Sequence, residues 1–154
     1  MEALIAAVIL SVAVVAVTEA VVSGQSQHYD SRHVQRAMML ASEAMEWVLA
    51  LPYEDPDGAS NPGPEGGESS RSRFDNADDY HNYSQTGAGL VDLAGQTYPT
   101  GFRGFTRRIT CQYGSLNLTG LSVVTGLTVT VTVTDADDRS WTLRRFVPAP
   151  ALIE

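Results

Sequence analysis

The sequence predicts an α+β protein in which one long N-terminal helix is laid against a small antiparallel sheet. Three observations carry this expectation. Residues Ala3 to Val22 are almost all Ala, Val, Ile and Leu. No proline interrupts residues 2 to 51, and the later part of that stretch keeps apolar residues at helical steps. Leu127, Val129, Val131 and Val133 alternate with Thr128, Thr130, Thr132 and Thr134, the period-two pattern of a strand with one apolar face.

Within Ala3 to Val22 only Ser11, Thr18 and Glu19 are polar. At about 1.5 Å per residue this run reaches about 30 Å, the thickness of the hydrocarbon core of a bilayer. A cleaved secretory signal would instead show a basic start, a shorter apolar core and a small-residue cleavage site. Glu19 stands near the far end of the span, where it either reaches interfacial water or makes a specific contact. Beyond Gly24, the expected point of a bend, Val34, Met38, Ala41, Met45 and Val48 form a stripe widened by Ala37, Ala44 and Trp47. Gln35, Arg36, Ser42, Glu43 and Glu46 fall largely off it. Pro52 ends the pattern, because proline lacks an amide hydrogen and clashes with the preceding turn. The chain thus divides into an apolar half-helix (1–24), an amphipathic half-helix (25–51), an irregular region (52–100) and a sheet region (101–154), with 25–154 as one globular domain. The alternative is a transmembrane helix followed by a separate domain helix.

Residues 52–100 are rich in turn chemistry, as in Pro52-Tyr-Glu-Asp-Pro-Asp-Gly58 and Asn61-Pro-Gly-Pro-Glu-Gly-Gly67. Tyr53, Phe74, Tyr80, Tyr83 and Tyr98 offer anchoring points on the sheet. Two acidic clusters, Asp55 with Asp57 and Asp75 with Asp78 and Asp79, are candidates for calcium, which takes six to eight oxygen ligands. Neither has EF-hand spacing, so calcium is the weaker reading and local Asx turns or exposed charge are the expected one. Further on, strands are expected at about 105–113, across 127–134 and at about 140–147. Asp135-Ala-Asp-Asp-Arg139 forms the hairpin connection between the last two. The amphipathic stripe of the helix is the natural cover for their apolar face.

The net charge of −8 argues against a general nucleic-acid binder, which needs clustered positive charge. All ten basic residues are Arg. Arg103, Arg107, Arg108, Arg144 and Arg145 lie close together and read either as the solvated face of a sheet or as a local patch for a polyanion. The single cysteine, Cys111, excludes an intramolecular disulfide and a multi-cysteine zinc site, and reads as a small buried side chain. His28, His33 and His81 sit in no nucleophile or metal motif, and no phosphate-binding glycine motif is present, so no enzyme is expected.

The opening Met-Glu-Ala-Leu-Ile-Ala-Ala-Val-Ile-Leu resembles the mature N-terminus of type IV pilins, in which a Glu at the fifth mature position leads into an apolar helix. The match is nearer to minor pilins of the PilV type and minor pseudopilins of the GspI type in type II secretion than to major subunits. Arg73-Phe-Asp-Asn-Ala-Asp-Asp-Tyr-His81 is similar to a segment of minor pilins of the mannose-sensitive haemagglutinin pilus class. The resemblance implies a pilin-like fold and a structural subunit in the inner membrane, with the C-terminal domain extracytoplasmic and incorporated into a filament after assembly. Its implied partners are other pilin or pseudopilin subunits, the inner-membrane assembly platform, membrane lipid, and a prepilin peptidase acting on a basic leader. On this match three mature residues and that leader would precede Met1. Glu2 would be the assembly residue, meeting the N-terminal amine of a neighbouring subunit. The bland alternative for Glu2 is a carboxylate complementing the positive end of the helix dipole. The alternative for the whole chain is a single-pass tether carrying an extracytoplasmic binding module that does not polymerise.

Overall fold

The computed structural model describes residues 2–56, 58, 61–117 and 123–150. One helix, α1 (Glu2–Leu49), precedes an antiparallel sheet of four strands, β1 (Ser84–Thr86), β2 (Thr106–Asn117), β3 (Val123–Thr134) and β4 (Ser140–Pro148), in the spatial order β1-β2-β3-β4. The α+β arrangement is the one the sequence predicts. The chain forms two compact units, Met1–Gln35 and Arg36–Glu154. The boundary between them falls inside the amphipathic half of the helix. Helical structure continues through Gly24.

In the second unit the apolar face of the sheet meets the last turns of α1. Ile109 and Cys111 of β2 pair across the strands with Val131 and Val129 of β3, and all four are fully buried. Above them lie Ala37, Leu40, Ala41, Ala44, Met45, Trp47 and Val48. These positions follow the i, i+3, i+4, i+7 spacing that keeps one helix face against a surface. Three are alanines, whose short side chains let helix and sheet approach closely. The stripe is rotated from the predicted one: Leu40 is central, whereas Val34 and Met38 are 41% and 38% exposed.

Backbone geometry sets the edges of the sheet. Gly126 of β3 admits β4, since a Cβ there would stand 2.3 Å from the Val147 carbonyl oxygen. In the β3–β4 turn, Asp135 Oδ1 accepts the Asp137 and Arg139 amides at 3.0 and 2.9 Å, while its Oδ2 takes Arg139 Nε at 2.7 Å. That closes the hairpin where Asp135–Arg139 predicts it. Strand β1 is only three residues long and lies inside the region expected to be irregular. Beyond it, the outer edge of β2 is covered by the Tyr83 carbonyl, which accepts Ile109 N at 2.9 Å, and by His81 Nδ1, which accepts Cys111 N at 3.1 Å.

Arg107 corrects an expectation. It is not on a solvated face of the sheet but is 1% exposed, the largest fully buried side chain among the described residues. Along β2 and the residue just before it, Arg107 alternates with Phe105, Ile109 and Cys111, all buried. Its Nη1 donates to the Leu40 carbonyl at 3.2 Å, and its Nη2 to the Val91 carbonyl at 3.0 Å and to Gln85 Oε1. The guanidinium lies 4.0 Å from the centre of the Trp47 ring, and Glu43 Oε2 is 4.0 Å from Nη1. Burial lowers its pKa to about 10, with Glu43 opposing the shift.

Removing this guanidinium strands several buried acceptors, so Arg107→Ala should lower the unfolding free energy by about 3–5 kcal/mol. Arg107→Lys should recover less than half, because an ammonium cannot span the same acceptors. Glu43→Ala, whose side chain is 25% exposed, should cost about 1 kcal/mol or less. Denaturant unfolding of the full chain in detergent, followed by Trp fluorescence, measures all three.

Candidate functional site

Two regions carry functional candidates, one in each unit. In the first, every described residue from Glu2 to Arg32 is exposed, including Leu4, Ile5, Val8, Ile9 and Leu10. One 18-residue window has a mean hydropathy of 2.6 and none of it is buried within the chain. This helix is long and apolar enough to cross a membrane. Its hydroxyls are consistent with an apolar medium: Ser11 Oγ donates to the Val8 carbonyl and Thr18 Oγ1 to the Val14 carbonyl, both at 2.8 Å. Each hydroxyl is thereby satisfied by its own helix. Glu2 is the acidic residue of the first turn and Glu19 stands exposed one span later.

The second region is built from two turns of the segment between α1 and β1. In the first turn Glu68 N donates to the Glu65 carbonyl at 3.2 Å, and Glu65 N donates back to Glu68 Oε2 at 3.0 Å. In the second, Asn76 Oδ1 accepts the amides of Asp78 and Asp79 at 2.9 and 3.1 Å. Asp79 Oδ2 in return accepts those of Asp75 and Asn76 at 2.9 and 3.2 Å. These reciprocal bonds satisfy backbone donors in a stretch without regular structure. The backbone of the second turn is also tied to the exit of the helix, through Ala77 N and the Pro52 carbonyl at 2.9 Å. An edge-to-face aromatic cluster of Phe74, Tyr80 and Tyr83 supports it, with centroids 5.1 to 6.0 Å apart.

The two turns bring Glu65, Glu68 and Asp79 together, with one carboxylate oxygen of each within 4.8 Å of the others. Glu65 and Glu68 are residues that sequence reasoning does not single out. Of the predicted calcium candidates, only Asp79 joins this group. Asp78 turns toward the sheet, where its Oδ2 accepts the Tyr113 hydroxyl at 2.5 Å, and Asp75 contributes its backbone amide to Asp79. Asp57 lies outside the described residues. Asp78 and Asp79 are 1% and 0% exposed, and Oδ1 of each is buried without a hydrogen-bond partner among the described residues.

Burial raises the proton affinity of Asp78 and Asp79; hydrogen bonds from Tyr113 and from backbone amides respectively oppose the rise. Glu65 is raised further, to about 7, by burial, by its contact with Glu68 and by the charges of Asp55 and Asp79. The same negative region reaches β2. Burial, then Asp78 and Asp79, push the Cys111 thiol up to about 12, and burial with the Asp78 contact raises Tyr113. Cys111 is fully buried, as expected, with its Sγ 3.5 Å from the Ala77 carbonyl oxygen.

A carboxyl group with a raised folded-state pKa makes the folded state hold more protons than the unfolded state. The contribution of Glu65 to stability is therefore complete below about pH 4.5 and lost as pH rises through about 7. Thermal unfolding in chelator-containing buffer should show a melting temperature that falls across this window. Glu65→Gln, which fixes the uncharged form, should flatten that part of the profile.

No protein-family model, curated protein or solved structure matches this chain, so its helix and its carboxylate turns are themselves the functional evidence.

Proposed function

We propose that the chain is a structural minor subunit of a type IV pilus or of a type II secretion pseudopilus. The observation that supports this most directly is α1 itself. One unbroken helix of 48 residues begins with an apolar surface on all sides and ends as a face of the α+β core. A membrane tether needs the first property but not the second. A subunit that must leave the bilayer and pack laterally gains from both, since its apolar surface can exchange lipid for the helices of neighbouring subunits. The resemblance of the N-terminal ten residues to type IV pilins supports the same reading.

In this proposal the first half of α1 sits in the inner membrane and the sheet domain is extracytoplasmic until assembly moves the subunit into the filament. The partners are other pilin or pseudopilin subunits and the inner-membrane assembly platform, with a prepilin peptidase processing the precursor. Glu2 supplies the specificity. A carboxylate at the edge of hydrocarbon is costly to leave uncompensated, so pairing it with the N-terminal amine of a neighbouring subunit sets the axial register of the helices. The role is structural rather than catalytic. Two side chains that would suit acid–base or nucleophilic chemistry are engaged in the fold, His81 accepting the Cys111 amide and Cys111 buried as a thiol of high pKa.

Glu2→Ala tests the assembly role. Its membrane fraction should match the unsubstituted protein, while its recovery in sheared filaments or pseudopili should fall about tenfold or more. Unchanged incorporation would sink the pairing role of Glu2, and a chain that never enters filaments even unsubstituted would favour a membrane-tethered binding module.

A further inference from the structure

We propose that Glu65, Glu68 and Asp79 form a Ca²⁺ site that fastens the 65–68 turn to the 75–79 turn. Three carboxylates from two separate turns converge within 4.8 Å, and no Arg, Lys or His forms an ion pair with any of them among the described residues. Arg73, the base nearest in sequence, donates its Nη1 to the Gly67 carbonyl at 2.9 Å instead. Convergent like charge without a counter-charge destabilises a loop unless something compensates it.

A second, independent observation concerns the buried oxygens. Asp79 is fully buried; its Oδ2 is engaged by two amides, yet its Oδ1 has no donor. A buried carboxylate oxygen is ordinarily met by a hydrogen-bond donor or a cation. The neighbours of Asp79 at this point are the carboxyl groups of Glu65 and Glu68, and Glu68 lies within hydrogen-bond reach of both Asp79 and Glu65. A cation satisfies all three groups at once, whereas a single shared proton satisfies only two.

The chemistry of the donors selects the ion. All are hard oxygens on irregular backbone, with neither imidazole nor thiolate in the group, which disfavours zinc and copper. Mg²⁺ demands near-octahedral geometry at short distances and retains its water, whereas Ca²⁺ accepts variable coordination and bidentate carboxylates, which suits two flexible turns.

The test uses the full chain in detergent, stripped with EDTA and titrated with CaCl₂ by calorimetry and by thermal unfolding. Binding should appear with a Kd in the range of about 10⁻⁵–10⁻³ M. At hundredfold excess over Kd, the melting temperature should rise by roughly 10 °C. MgCl₂ should bind at least about tenfold more weakly. Because Asp79 also holds backbone amides, Asp79→Asn can fail to fold; the deciding variant is Glu65→Gln/Glu68→Gln, which leaves those amide bonds in place. It should keep the native circular dichroism in EDTA and lose the Ca²⁺ response at least tenfold. Absence of heat and of a melting shift in the unsubstituted chain at 10 mM Ca²⁺, about ten times the weakest expected Kd, would overturn the site. So would a double variant that responds to Ca²⁺ as the unsubstituted chain does, and an equal affinity for Mg²⁺ would overturn its assignment to calcium.

Discussion

The globular unit is organised around one buried cation. Arg107 reaches from the inner face of β2 to the Leu40 carbonyl on the helix, to Gln85 on the edge strand and to the Val91 carbonyl in the connecting segment. A guanidinium can hold these because its donors are fixed in one plane and its weak hydration makes burial cheaper than for an ammonium. The indole of Trp47 covers its face, and Arg71 lies over the same ring at 4.4 Å while its Nη2 donates to the carbonyls of Asp92 and Leu93. Helix, edge strand and connecting loop are thus held by directional bonds to a common centre, around which the apolar contacts pack. Hydrophobic burial supplies most of the cohesion in such a unit, but it is not directional. The fixed guanidinium geometry selects one placement of these segments among many greasy ones.

What the sequence makes legible is what repeats. The alternation of Leu127 to Thr134 specifies β3 and its buried face, and Asp135 to Arg139 specify the hairpin, because both depend on neighbours in the chain. The position of the helix stripe is less well determined. Val34, Met38, Ala41, Met45 and Val48 fit a helical face as well as Ala37, Leu40, Ala41, Ala44 and Val48 do, and only the sheet decides that Leu40 is central and Met38 marginal. Strand β1 has three residues and no period to detect. Arg107 was detectable in principle, since it occupies an inward position between Phe105 and Ile109. A charged side chain is ordinarily solvated, and the sequence does not mark the buried acceptors that Arg107 meets. Glu65 and Glu68 were invisible for another reason: they meet Asp79 across more than ten residues of chain with no periodic pattern.

The helix shows how one backbone serves two surroundings. All interior amides and carbonyls of α1 are paired along the helix, so the backbone makes no demand on the medium, and side chains alone decide where each part resides. From Ala3 to Val22 the side chains are almost all Val, Ile, Leu and Ala, with two hydroxyls folded back onto backbone carbonyls. In the second unit one face is apolar and another carries Glu46, exposed to solvent. The change needs no proline, bulge or break, only a change in which faces are apolar.

The segment between the helix and the sheet follows a different logic from either. It has too few apolar residues to be placed by burial alone, so its turns are defined by side chains that bond backbone: Asn76 and Asp79 to each other's neighbours, Glu68 to Glu65, Asp92 Oδ1 to Gln96 N at 2.8 Å. Acidic side chains suit this task because a carboxylate accepts several amides at once. The consequence is charge density. Each carboxylate recruited to satisfy the backbone adds to the negative potential around Asp78 and Asp79, which extends to Cys111 and Tyr113 in the sheet. Protons at low pH neutralise part of that potential, since burial and the neighbouring carboxylates raise the Glu65 pKa to about 7. The stability of the turns is therefore coupled to pH through the carboxylates that build them.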